Sequence, residues 1–142
     1  MTCTKKKRIL SIIITVLFAA CIVVVSSIPS DALPSRPSFI NVIAHFFEYF
    51  ILAILLTIDF QPTGVVSEFE LKSKKLAMKS AIIAIVIASI FSVTDEIHQY
   101  FVPGRVCDPL DWLTDTAGAL VGSIIITKII ASGLFGKRHG KE

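Results

Sequence analysis

Four long apolar runs divide the chain. The first, 9–28, reads "ILSIIITVLFAACIVVVSSI" and carries no charge. The second, 39–58, reads "FINVIAHFFEYFILAILLTI" and is interrupted only by His45 and Glu48. The third, 76–100, passes through "MKSAIIAIVIASIFSV" into an acidic segment, and the fourth, 110–131, has Asp111 and Asp115 near its start. Runs of about 18 or more apolar residues can cross a bilayer. Lipid offers no partner to a backbone N–H or C=O, so each run must bond internally as an α-helix. Barrel strands would show alternating segments of about ten residues, and none is present. The pattern predicts an all-α integral membrane bundle of four transmembrane helices, formed by a single domain over 1–142.

Composition agrees with that pattern. Of 142 residues, 54% are hydrophobic and 18% charged, and the mean hydropathy is +0.76. Soluble domains average about 25% charged residues. "KKKR" before the first run resembles the basic start of a signal peptide, and "FAAC" ends at Cys21. The apolar sequence continues past Cys21 through Val25, so a retained helix is expected rather than a cleaved leader. The three cysteines show no metal-ligand spacing, and Cys3 and Cys107 are expected on opposite faces of the membrane.

Charge supplies an orientation. Lys5, Lys6, Lys7 and Arg8 precede the first run; Lys72, Lys74 and Lys75 precede the third and Lys79 lies at its start; Lys128, Lys137, Arg138 and Lys141 close the chain. Only Arg36 and Arg105 belong to the other two connections. Positive residues are held in the cytoplasm, so both termini are expected there. The net charge of +3 is then membrane anchoring rather than a nucleic-acid footprint, and the expected partner is the lipid bilayer.

The opposite face is acidic. Between the third and fourth runs lies "DEIHQYFVPGRVCDPLDWLTDTAG", 95–118, with a turn at Pro103 and Gly104. His45, Glu48, Tyr49 and Leu52 share one helical face by spacing, and Ser92, Asp95 and Gln99 share another. Asp108, Asp111, Asp115, Gly118 and Gly122 form a third stripe, whose two glycines would permit close helix packing. Intramembrane charge is costly and is normally paired or set in a wet cavity. The expectation is an outward-opening polar pocket with Arg105 as its fixed cation and Asp95, Asp111 and Asp115 turned inward. Arg105 suits bidentate contact with a carboxylate or phosphate. His45, Asp95, Glu96, Asp111 and Asp115 are candidate acid–base groups; His45, Asp95 and Asp115 are weak candidates for a divalent metal. The structural alternatives are that Asp108 caps the fourth helix with Pro109 in its first turn, that Glu96, His98 and Tyr100 are solvated, and that Trp112 and Tyr100 sit in an aromatic belt.

"AHFFEYFILAILL", "DEIHQYFVPGR" and "DPLDWLTDTAG", in that order, resemble the VanZ-like family of small bacterial membrane proteins. The resemblance covers about 39–122. It points to His45, Tyr49, Asp95, Glu96, Gln99, Pro103, Gly104, Arg105, Asp111, Asp115 and Gly118. Family members often carry a basic residue shortly before the histidine, where this chain has Val42. The resemblance implies a link to resistance against teicoplanin, a glycopeptide with a lipid tail, and leaves the biochemical activity and any cofactor open.

Two readings follow. In the first, His45, Tyr49, Asp95, Gln99, Arg105, Asp111 and Asp115 engage an amphiphilic or lipid-linked envelope molecule on the outer face. In the second, the histidine and acids form a membrane-embedded enzyme for a lipid-linked or phosphorylated substrate; no serine or cysteine nucleophile stands out. A small transporter is a third option, without the internal repeat that transporters often show, and it would require oligomerisation.

Overall fold

The computed structural model describes residues 3–33, 38–61 and 70–132. They form four helices: α1 (Cys3–Ser26), α2 (Ser38–Asp59), α3 (Glu70–Tyr100) and α4 (Pro109–Ala131). A short 3-10 turn, Ser30–Ala32, follows α1. Each α-helix contains a segment long and apolar enough to cross a membrane: Lys5–Ser26, Phe39–Asp59, Lys75–Tyr100 and Pro109–Ala131. The chain is therefore a multi-pass membrane protein. Arg36, Lys137, Arg138 and Lys141 lie outside the described residues.

Three boundaries differ by two residues or more from the apolar runs. α1 starts at Cys3 and ends at Ser26, and α3 starts at Glu70. Lysine and arginine are good helix formers, so each helix continues into the basic segment beyond its apolar core. The apolar run marks the membrane span and not the helix ends.

The interior is built from small and polar side chains. Ala53, Ala77, Ala84, Ala88 and Ala119 are buried, as are Thr57, Ser80, Ser92 and Ser123. Large aliphatic residues such as Leu17, Val24, Ile82, Ile90 and Leu120 are exposed. Lipid already solvates large apolar groups, so the gain on association comes from close packing and interhelical hydrogen bonds. Gly118 and Gly122 show this most clearly. A Cβ at Gly118 would overlap the carbonyl oxygen of Phe46, and one at Gly122 the carbonyl oxygen of Phe50. α4 thus lies directly against the α2 backbone.

α2, α3 and α4 pack against one another, while α1 leans on α2 and α3 without reaching α4. α1 contributes Ile22, Phe18 and Ala19 to a core centred on Tyr49, Leu52, Ala53, Ala88 and Ala119. It is fastened by polar contacts at both ends. Near its start Ser11 and Thr15 donate to the two oxygens of Asp59, the Thr15 bond being 2.5 Å. Near its end Ser26 donates to Asp95 Oδ1 at 2.5 Å, and Ser27 Oγ lies 2.9 Å from His98 Nε2. These pairs place the end of α1, the start of α2, the end of α3 and the start of α4 at one end of the bundle, called here the α3–α4 end.

Candidate functional site

The α3–α4 end is shaped by its turn. Gly104 adopts φ 72°, in the left-handed region that favours glycine. A side chain there would also strike Ser30, whose N–H donates to Pro103 O at 3.2 Å. The turn is in this way seated on the segment after α1. Asp108 then caps α4, its carboxylate accepting from Leu110 N at 2.8 Å with Pro109 in the first turn, as the sequence suggests.

Arg105 is placed differently from expectation. Its guanidinium donates to Val25 O at 3.3 Å and Ile28 O at 3.2 Å. Among the described residues it makes no ion pair with an aspartate; the charged pairs found there both involve His45. The physical reason is that the backbone carbonyls at and just after the end of α1 carry partial negative charge and attract a cation, Val25 O accepting from Ile28 N as well. Arg105 therefore fixes the end of α1 and also faces a cavity.

That cavity has a volume of about 490 Å³ and lies between α1 with the segment after it, α2, α3 and the turn that bears Arg105. Its apolar lining is Ile22, Val25, Leu33 and Ala44. Its polar lining includes Ser26, Asp31, Asn41, His45, Glu48, Asp95, Gln99 and Arg105. Asp95 is 5% exposed. It accepts from Ser26 on one oxygen and from Gln99 Nε2, at 3.0 Å, on the other. Both oxygens are satisfied, and Asp95 joins α1 to α3.

A second polar group lies between α2, α3 and α4 and meets the cavity at His45. Asp115 is 1% exposed. It accepts from Ser92 Oγ at 2.5 Å and lies 3.1 Å from His45 Nδ1. Asp111 Oδ2 is 3.9 Å from His45 Nε2. Glu96 points inward too, being 3% exposed, which corrects the reading of it as a solvated residue. α3 packs on both α2 and α4, so two adjacent positions, Asp95 and Glu96, can both be interior. Glu96 Oε2 accepts from Asp108 N at 2.9 Å, while Oε1 is buried without a partner. Ligand atoms of His45, Glu96 and Asp111 lie within 4.8 Å of one another. This differs from the metal candidates read in the sequence: Asp95 and Asp115 are each engaged by two hydrogen-bond partners, and Glu96 takes the place they leave.

The remaining sequence candidates separate. Gln99 faces the cavity. Tyr49 is fully buried in the core, and its hydroxyl has no partner among the described residues. Tyr100 is exposed, whereas Trp112 is half-buried and donates to Ser89 Oγ at 3.1 Å, so it joins α4 to α3 instead of standing free in a belt. Sequence reasoning missed Ser26 as the partner of Asp95, and it placed Glu48 on the right helical face without selecting it. The serine pair that closes the first apolar run is the one local signal for Ser26.

A family model described as VanZ/LLP1 matches residues 4–131. Neither the curated proteins nor the solved structures compared with the chain give a match.

Proposed function

The chain belongs to the VanZ/LLP1 family of membrane proteins, and on that premise we propose that it binds an amphiphilic molecule of the cell envelope. The cavity carries this reading. The side formed by α2, α3 and the turn is polar through His45, Glu48, Asp95, Gln99 and Arg105; the side formed by α1 and the segment after it sets the apolar Ile22, Val25 and Leu33 among Ser26, Ser30 and Asp31. Small-molecule sites usually have volumes of about 300–1,000 Å³ and a few polar groups in a largely apolar lining. A lipid-tailed ligand would set its polar part against the acids and Arg105, and its tail along α1. The basic residues at the opposite end, Lys5, Lys6, Lys7, Arg8, Lys75, Lys79 and Lys128, support a cytoplasmic position for that end. The cavity then faces outward, where a glycopeptide with a lipid tail acts.

Expression in a susceptible Gram-positive host tests the reading. Teicoplanin tolerance should rise at least several-fold. Ala44→Trp, which fills the cavity from its α2 wall, should remove the rise while leaving the protein in the membrane. No rise with detectable membrane protein counts against the resistance role. A second reading, a membrane-embedded enzyme for a lipid-linked or phosphorylated substrate, is favoured by His45 held at Nδ1 by Asp115 beside Asp111. A histidine fixed by a carboxylate is a frequent acid–base arrangement.

A further inference from the structure

We propose that His45, Glu96 and Asp111 bind a divalent transition-metal ion between α2, α3 and α4. The two acids lack the pair of hydrogen-bond partners that Asp95 and Asp115 have among the described residues, Glu96 being buried and Asp111 partly exposed. Glu96 is 3% exposed, yet its Oε1 accepts nothing. A buried carboxylate oxygen without a partner is costly. No lysine or arginine lies within ion-pair distance of Glu96 or Asp111 among the described residues. A divalent ion would neutralise both carboxylates and occupy the free oxygen.

Geometry agrees with the charge. Metal–nitrogen and metal–oxygen bonds of about 2.0–2.2 Å place two ligands of one ion roughly 3–4 Å apart. His45 Nε2 and Asp111 Oδ2 are 3.9 Å apart, and the three ligand atoms fall within 4.8 Å.

The surroundings are also those of a metal site. A metal-bound histidine usually donates its other ring N–H to a carboxylate, which fixes the tautomer and leaves the remaining nitrogen for the ion. Asp115 stands 3.1 Å from Nδ1 and is itself held by Ser92 at 2.5 Å. Asp108 N in turn orients Glu96 through Oε2. One imidazole and two carboxylates suit zinc- or manganese-type ions. Calcium takes six to eight oxygens, more than this group offers. Three protein ligands leave coordination positions for water or for a headgroup oxygen, and His45 also lines the cavity.

Cobalt(II) titration of the purified full chain in detergent, after chelator treatment, tests the site. The wild type should give visible d–d absorption that saturates at one equivalent and is displaced by zinc. Asp111→Cys should add a sulfur-to-cobalt charge-transfer band absent from the wild type. Glu96→Gln should weaken binding at least tenfold, and Asp59→Asn, at the other end, should leave it unchanged. No saturable absorption from the wild type overturns the proposal, whatever the variants do. Binding unchanged in Glu96→Gln, with no new band in Asp111→Cys, overturns the assignment of the ligands. The readout needs no envelope ligand, so failure here leaves the cavity reading standing, and failure of tolerance in the host leaves the metal site standing.

Discussion

At one end of the bundle Asp59 takes a hydroxyl on each oxygen, from Ser11 and Thr15. At the other end Asp95 and Asp115 are served in the same way, by Ser26 and Gln99 and by Ser92 and His45. Glu96 and Asp111 are not. Glu96 keeps one buried oxygen free, and Asp111 has only His45 at 3.9 Å. Each of the first three carboxylates joins helices: α1 to α2, α1 to α3, and α2 to α3 and α4 together. The comparison separates these five acids into two kinds. Those with two donors tie the bundle. Those without are placed where a ligand can complete them.

The largest effect that can break this comparison lies outside both sets, in the scaffold that positions them. Gly118→Ala drives a methyl into the Phe46 carbonyl and must push α4 from α2, separating His45 from Asp111 and Asp115. Overpacking of this type costs about 1–3 kcal/mol, and rigid backbone contact sets the expectation at the upper end. Thermal unfolding in detergent and membrane yield measure it. A variant as stable as the wild type would mean that the two helices do not meet as described.

Smaller, and sharper for the comparison, is the contrast between two tying acids. Asp115→Ala leaves the Ser92 hydroxyl and His45 Nδ1 without acceptors in a buried setting. Unpaired buried groups cost about 1–3 kcal/mol each in soluble proteins, although hydrogen bonds inside membranes average nearer about 0.6 kcal/mol. A loss of about 1–3 kcal/mol is expected. Asp59→Ala should cost less than half of that, because the Thr15 hydroxyl already lies 3.1 Å from Ser11 O and has a fallback acceptor. Equal losses would show that burial, and not the number of alternative partners, sets the cost.

Much of the scaffold was legible in the sequence. Four long apolar runs leave few choices other than helices, and the i, i+4 spacing of Gly118 and Gly122 announces a close helix contact. Asp108 followed by Pro109 announced a cap. Each of these signals is local and rests on one helix. The site was legible only as a set of residue types. Spacing placed His45 and Asp115 on inward faces, but pairing one with the other depends on how α2 and α4 cross. Arg105 was expected among the acids because unlike charges attract, and no local pattern reveals that the carbonyls ending α1 lie nearer. The sequence groups Glu96 with His98 and Tyr100 as a solvated residue near a helix end. α3 touches helices on two sides, so Asp95 and Glu96 are both interior. Ser26 lies 69 residues from Asp95, and its role exists only in the folded bundle.

The division of the acids into two kinds is tested most directly by one pair of melting curves. Glu96→Gln and Asp115→Ala are unfolded by heat in detergent with a chelator present, beside the wild type. The amide carbonyl introduced by Glu96→Gln can still accept from Asp108 N, and the change removes a buried carboxylate that no lysine or arginine among the described residues pairs. Glu96→Gln is therefore expected to unfold at or above the wild-type temperature, while Asp115→Ala unfolds below it. A fall in Glu96→Gln as large as that in Asp115→Ala would contradict the account, because Glu96 would then be one more tie in the bundle.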